Sequence, residues 1–362
     1  MTPLAAAATP SLPDDAARRV SLSVLIVTYN EAELVRGCLA SLLAQLAPED
    51  EIIVVDNGSR DGTPEVVEEV APGARVVRRH DNAGYMAAAN AAAALARGEL
   101  LVLLNPDTVI APGFTRAIAL PLTESRGWAA WQALLTQATG REINTSGGTT
   151  HFVGISWATQ VGEPLSALAP GPREVAFASS ACLAVPRAIW EREHGFPEAF
   201  FLYFDDVDLS LRLRLTGGLV GIEPTARVEH LYDFSRRSLK WRLLERNRWA
   251  TLIRTYPTDL LLLLLPALML TELGVLAVAV QAGWSAQKLG AMLDVARALP
   301  RLLGERRAIQ SRRTISAARF ASCLTSELSS PFLGTAADSR LLRVGLSVYW
   351  TAVRAVLARA CR

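Results

Sequence analysis

The chain has 362 residues, 51% of them hydrophobic and 20% charged, with a mean hydropathy of +0.24 and a net charge of +2. That hydropathy is high for a freely soluble protein, while the charged fraction excludes a protein that is polytopic throughout its length. Arginines concentrate after residue 235, a pattern that suits a C-terminal half resting on an anionic membrane and argues against a nucleic-acid partner.

Residues 1–20 are rich in Ala and Pro and lack a basic segment followed by a long apolar core. They read as a disordered tail without a signal peptide, and the protein is expected not to be exported. Cys38, Cys182, Cys323 and Cys361 are far apart and form no CxxC pair, so they read as unpaired thiols of a reducing cytosol. Order is expected from "SLSVLIVTYNEAELVRGCLASLLAQL", a short β-branched run followed by a helix whose buried face takes Leu34, Cys38, Leu39 and Leu42. "EIIVVDNGSRDGTPEVVEEV" repeats strand, polar turn and helix. "ARVVRRHDNAG" is a third strand, "YMAAANAAAALARG" an Ala-rich helix closed by Gly98, and "LLVLLNPD" a fourth strand. Near-continuous apolar strands alternating with helices predict a parallel sheet covered on both faces, hence a doubly wound α/β domain.

Polar residues end each strand: Asn30 and Glu31, Asp56 and Asn57, Asn82, and Asp107. Asn105-Pro106-Asp107 alone reads equally well as a turn. Four polar strand ends in succession instead describe a pocket on the carboxyl edge, where open α/β sheets bind ligands. No GxGxxG follows the first strand and no GxxxxGK[ST] occurs, which argues against a dinucleotide dehydrogenase and excludes a P-loop. Residues 140–180 read as short strands and loops on an acceptor side. "SSACLAVPRAIWERE" is a strand feeding a helix through Pro186. Then Asp205, Asp206 and Asp208 open a helix with Leu209, Leu211, Leu213 and Leu215 on an apolar face. Dipole complementarity accounts for one of those acids. It accounts less well for a cluster preceded by Phe200-Phe201-Leu202-Tyr203-Phe204.

Five segments together, "VLIVTYNEAELVRGCLASL", "IIVVDNGSRDGT", "DNAGYMAAANAA", "LLVLLNPD" and "FFLYFDDVDLSLRLRLTG", resemble glycosyltransferase family 2 with the GT-A fold, in its bacterial rhamnosyltransferase-like branch. The resemblance covers residues 21–256. It implies a nucleotide-diphosphate sugar donor, Mg²⁺ or Mn²⁺, and inversion at the anomeric carbon. By position it places Thr28, Asn30 and Glu31 in the nucleotide pocket and Asp56 against the pyrimidine ring, with Asn57 beside it. Asn82, Gly84 and Asn90 fall near the ribose or sugar. Asp107 matches the last position of the family's Asp-x-Asp metal motif and Asn105 the first, so one carboxylate does most of the anchoring. His230 matches a position that sometimes completes the metal site. Asp206 corresponds to the catalytic base, an expectation consistent with single-displacement chemistry. Asp205 would hydrogen-bond the acceptor, and Asp208 would have no catalytic part. Rhamnose carried on thymidine diphosphate is the branch's usual donor; galactose, mannose or N-acetylglucosamine on UDP or GDP stays open.

The last third begins with a basic amphipathic helix carrying Trp241 and Trp249, followed by an apolar run at 260–280 interrupted by Pro266 and Glu272. Basic residues flank the run on both sides: Arg248 and Arg254 before it, Lys288, Arg297, Arg301, Arg306 and Arg307 after. If both flanks are cytoplasmic, a re-entrant hairpin or an in-plane pair of helices follows, ahead of a single span. Residues 257–362 thus read as a helical, membrane-associated region at the cytoplasmic face, suited to a lipid-linked saccharide acceptor. Two other readings stand beside the transferase. A nucleotidyltransferase would need a Gly-rich basic loop where "VTYNEAEL" supplies acid. A catalytically silent scaffold is favoured by Asn105 and opposed by Asp56, Asp107 and Asp206 together.

Overall fold

The computed structural model describes residues 19–231, 240–328 and 340–360; the expected N-terminal tail lies almost wholly outside them, as does Cys361. β1 (Leu22–Thr28) is buried at every position, as a strand covered on both faces must be. It is followed by α1 (Ala32–Leu43), β2 (Glu51–Asp56), α2 (Thr63–Val70), β3 (Arg75–Arg78), α3 (Tyr85–Ala93) and β4 (Leu100–Leu104). Then come β5 (Thr108–Ile110), α4 (Phe114–Thr123), β6 (Trp128–Thr136), β7 (Ile143–Thr145), β8 (Gly148–Thr150), β9 (Ser156–Ala158) and β10 (Arg173–Glu174). β11 (Cys182–Pro186), α5 (Arg187–Glu193), α6 (Asp205–Leu215) and β12 (Leu219–His230) complete the α/β unit.

The main sheet runs β10-β12-β6-β11-β4-β1-β2-β3, and β8 and β9 form a separate two-stranded sheet. One parallel run is β4-β1-β2-β3. The expected all-parallel order is interrupted by β11, which re-enters antiparallel to both β4 and β6 after the 137–181 excursion, and parallel pairing resumes between β6 and β12. Side-chain alternation divides the core. Val24, Ile26 and Val54 meet Val35, Leu39, Phe114 and Ile118 on one face, while Leu25, Ile53 and Leu103 meet Met86, Ala89, Leu209 and Leu213 on the other.

Three local expectations change. In α1 the buried face takes Val35 with Cys38, Leu39 and Leu42, and Leu34 faces outward. α3 ends at Ala93, and Gly98 is no cap: a Cβ there would lie 2.6 Å from the Ser23 amide nitrogen, so glycine lets the chain cross β1. α6 is not amphipathic. Its leucines recur every second residue and all four are buried, as are Ser210 and Arg212, because the sheet covers one side and the C-terminal helices the other.

Those helices are α7 (Lys240–Thr255), α8 (Thr258–Gln281), α9 (Ser285–Ser311), α10 (Ala317–Ala321) and α11 (Arg340–Ala360). They close on α6 through a third core that includes Phe152, Leu211, Leu252, Tyr256, Leu264, Phe320 and Trp350. α8, with mean hydropathy 2.3, and Arg340–Arg359 of α11, with 1.4, are long and apolar enough to cross a membrane by length and composition. Pro266 sits inside α8 without ending it. Glu272 does not face an apolar surround: with Glu245 it sandwiches Arg248 and Lys288. Two acids and two bases, from α7, α8 and α9, thus neutralise one another. Arg248 and Lys288 are 2% and 1% exposed, and Arg254 is bound to Asp208. None of the three is the free flanking charge that the sequence suggested.

Candidate active site

The carboxyl edge of β1, β2 and β4 forms one wall of a cavity of about 1670 Å³. The turn between β4 and β5 is closed by the Thr108 hydroxyl donating to the Asn105 carbonyl at 2.6 Å, so "NPD" is a turn and a cavity wall at once. β5 pairs antiparallel with the end of β12, His230 opposite Thr108, and the Leu231 amide donates to the Asp107 carbonyl. This register brings His230 to Asp107 across 123 residues of sequence. His230 Nε2 lies 3.3 Å from Asp107 Oδ1 and 3.4 Å from Asn105 Nδ2. Its Nδ1 faces Asn144 Oδ1 at 3.3 Å. A carbonyl oxygen only accepts, so Nδ1 carries the proton towards Asn144, and Nε2 accepts from the Asn105 amide while lying beside Asp107. Asp107 Oδ1 is buried and makes no hydrogen bond. Among the described residues no three His, Cys, Asp or Glu side chains cluster for a metal. With Asp107 Oδ1 unpartnered and His230 Nε2 3.3 Å from it, the pair would offer two donor atoms to a hard divalent ion that takes its other ligands from water or substrate oxygens.

The opposite wall begins α6. Phe201, Tyr203 and Phe204 all have positive φ, between 65° and 69°, a conformation that bulky side chains rarely adopt. Asn247, fully buried on α7, holds it: its Nδ2 donates to the carbonyls of Phe200, Leu202 and Tyr203 at 2.8–3.1 Å. Arg246 adds a hydrogen bond to the Phe200 carbonyl. Gly84 is required by the same loop, since a Cβ would fall 2.5 Å from the Phe201 ring. The strained turn presents Asp205 and Asp206 to the cavity. Burial pushes the Asp205 carboxyl up to about 6. Burial, then the neighbouring Asp205 charge, raises Asp206 well above the ordinary carboxylate range. Asp205 is 5% exposed and its Oδ2 has no hydrogen-bond partner. Asp208 is different. It is buried and held by Arg212 at 2.7 Å and by Arg254, so it anchors helices rather than simply complementing the α6 dipole.

The sequence-derived residues divide into two groups. Thr28, Glu31, Asn57, Asn82, Gly84, Asn105, Asp107, Asp205, Asp206 and His230 line the cavity. Asn57 donates to the Gly84 carbonyl, and its Oδ1 is buried without a partner. Asn30, Asp56 and Asn90 are not in the wall. Asn30 is tied to the loop after β2: its amide donates to the Ser59 hydroxyl, and its Oδ1 accepts from the Arg60 amide. Asp56 accepts from the Thr28 hydroxyl, the Gly58 and Ser59 amides and the Ser59 hydroxyl, which fills its four lone-pair directions. Asn90 is bound through both amide atoms to the 196–198 loop, at Phe196 and Glu198, and braces that loop. Asn247 and Asn144 were missed by sequence reasoning, because nothing local distinguishes an Asn inside a basic helix or a short strand from a surface one.

The main sheet covered by helices on both faces, its mixed edge and the carboxylates that face the cavity make up the GT-A fold. Residues 23–135 match the family model "Glycosyl transferase family 2". N-acetylglucosaminyl-diphospho-decaprenol L-rhamnosyltransferase of Mycobacterium tuberculosis is 28% identical over 232 residues, 58% of this chain and 75% of the relative. Among solved structures, GalNAc-T7 with UDP, GalNAc and Mn²⁺ superposes with a TM-score of 0.55 at 15% identity, over 66% of this chain and 48% of that one. S. aureus TarS does so with 0.54 at 18% identity, over 92% and 55%. The chain is a glycosyltransferase whose residues 23–135 match family 2, and it is similar to a bacterial rhamnosyltransferase.

Proposed function

We propose that this enzyme moves a hexose, rhamnose foremost, from a nucleoside-diphosphate sugar to a lipid-linked saccharide at the cytoplasmic face of the membrane, inverting the anomeric carbon. The observation that carries the proposal is that Asp107 with His230 and Asp205 with Asp206 face one cavity from opposite walls. On this reading residues 21–256 are the GT-A unit and 257–362 the membrane-associated region. Thr28, Glu31, Asn57 and Asn82 bind the nucleotide and its ribose, and Asp56 shapes the 57–59 loop beneath them.

In the transfer, the acceptor hydroxyl gives its proton to Asp206 as its oxygen bonds to the anomeric carbon. On the opposite side the bond to the diphosphate oxygen breaks and the nucleoside diphosphate departs with the electron pair. One base suffices, since a single displacement forms no glycosyl-enzyme. The raised proton affinity of Asp206 suits it to hold that proton. Asp205 Oδ2, which has no partner within the chain, accepts a hydrogen bond from the acceptor sugar. Asp107 and His230 would hold a divalent cation, which supplies positive charge to the departing diphosphate. The name of the mycobacterial relative, with its decaprenol-linked acceptor and rhamnosyl transfer, supports the sugar and acceptor class. Mn²⁺ in the GalNAc-T7 complex supports the metal.

Membrane attachment is supported by α8, whose Leu262, Leu265, Met269, Leu270 and Leu273 are 50–70% exposed. Such a continuous apolar face is unusual on a soluble surface. Because Glu272 binds Arg248 and Lys288 near the helix midpoint, α8 lies along the enzyme and enters the bilayer in-plane or as a shallow re-entrant element. The test is thermal shift of detergent-purified protein with dTDP, UDP and GDP, each with and without Mn²⁺. Stabilisation by one nucleotide, enhanced by Mn²⁺, is expected; no response to any of the three overturns the transferase reading in favour of a scaffold.

A further inference from the structure

We propose that the apolar arm of the same cavity, between α8 and α11, takes up the isoprenoid tail of the acceptor, so that the lipid enters the protein with its sugar; this rests on the lipid-linked acceptor proposed above. The cavity lining is of two kinds: the α/β unit contributes Asn57, Asp107, Asp205, Asp206 and His230, while α8 contributes Leu270, Gly274 and Val278 and α11 contributes Leu342, Gly345 and Leu346. Its volume of about 1670 Å³ exceeds the roughly 300–1,000 Å³ of ordinary small-molecule sites, leaving room for a second, elongated molecule beside a sugar nucleotide.

Two glycines keep the arm open. Gly274 and Gly345 stand inside helices, where glycine is unfavourable relative to alanine. No strained φ explains either, and no atom lies within 4 Å of where a Cβ would be built. Neither glycine is needed for close packing; each leaves space where a side chain would project into the arm. The polar lining holds groups with unmet hydrogen-bonding capacity, Asp205 Oδ2 and Asn57 Oδ1, on side chains no more than 5% exposed. A sugar head satisfies those atoms, and a hydrocarbon tail is what the apolar lining excludes from water. Arg340 and Arg343, both exposed, lie within one turn of the lining Leu341 and Leu342. They supply positive charge for the phosphates that join such a head to such a tail. An amphiphile with sugar, phosphate and apolar chain in that order fits the arrangement.

The experiment is photolabelling of the full chain in detergent with a benzophenone-bearing farnesyl diphosphate, followed by mapping of the labelled peptides. Label is expected on α8 and α11, displaced by undecaprenyl phosphate and not by phosphatidylglycerol. Gly274→Trp and Gly345→Trp, which fill the arm from opposite walls, should each lower labelling about tenfold or more, a small part of the effect of excluding several buried CH₂ groups. Label elsewhere on the chain, equal displacement by phosphatidylglycerol, or labelling indifferent to both Trp variants would overturn the proposal. The wild-type map decides even where a Trp variant fails to fold. Labelling needs no donor, so a chain that labels on α8 and α11 but ignores all nucleotides fails the transferase reading and not this one.

Discussion

Replacing Glu272 with alanine tests how the apolar helix is held. Glu272 Oε2 lies 2.5 Å from Lys288 Nζ, and its other oxygen contacts Arg248; Glu245 binds the same two cations at 2.5 Å and 2.8 Å. The Glu272 side chain is 17% exposed and its partners 1–2%, so solvent screens these pairs little. Burial alone would raise the Glu245 carboxyl, yet Arg248 and Lys288 outweigh it and hold that group at about 2. Without Glu272 two buried cations share one carboxylate and a net positive charge stays inside. Removing one member of a buried pair typically destabilises by about 3–5 kcal/mol. With an unfolding entropy near 2.1 cal/mol/K per residue, that lowers Tm by roughly 4–7 °C for a chain of this size. The assay is thermal unfolding of Glu272→Ala in detergent beside the double variant Glu272→Ala/Lys288→Met, which restores charge balance and should recover about half the loss or more. An unchanged or raised Tm in Glu272→Ala would refute the reasoning, since it would mean the carboxylate resides in an apolar surround and the helix gains by losing it.

Asp206→Asn should abolish transfer while leaving nucleotide-induced stabilisation intact. In the wild type, activity should rise with pH along a limb set above the usual carboxylate range, because burial keeps the Asp205–Asp206 pair protonated to higher pH; a pH–rate profile with its limb near 4 would contradict the assignment. Asp107→Ala should remove the Mn²⁺-dependent part of the thermal shift, read by repeating the nucleotide titrations with and without metal. Asn90→Ala should lower stability by about 1–3 kcal/mol, the cost of leaving the Phe196 backbone groups unpaired, and leave nucleotide affinity unchanged, which calorimetry would read directly. Asn247→Leu should lower kcat more than KM, since it frees the strained 201–204 turn that carries Asp206; equal stability with full kcat would show that the turn holds itself.

Much of this enzyme was legible in the chain. Fully apolar strands such as "LLVLL" between helical segments announce a sheet covered on both faces, and polar residues at successive strand ends announce the edge where a pocket lies. These signals are local, set by side-chain periodicity and by where buried strands must surrender polar groups to solvent. The pairing of His230 with Asp107 was not local: it depends on the register of β5 against β12, which spacing does not encode. Nor did the sequence distinguish Asn57, in the cavity wall, from Asn90, which braces a loop, because the same amide serves either purpose and only its neighbours decide. The alternate leucines of α6 hid a helix buried on all sides, and the arginines around residue 260 resembled a membrane flank. Tertiary packing turned Arg248, Arg254 and Lys288 inward, since a carboxylate already buried at Glu245, Glu272 or Asp208 binds a cation more strongly away from water than any solvated surface does.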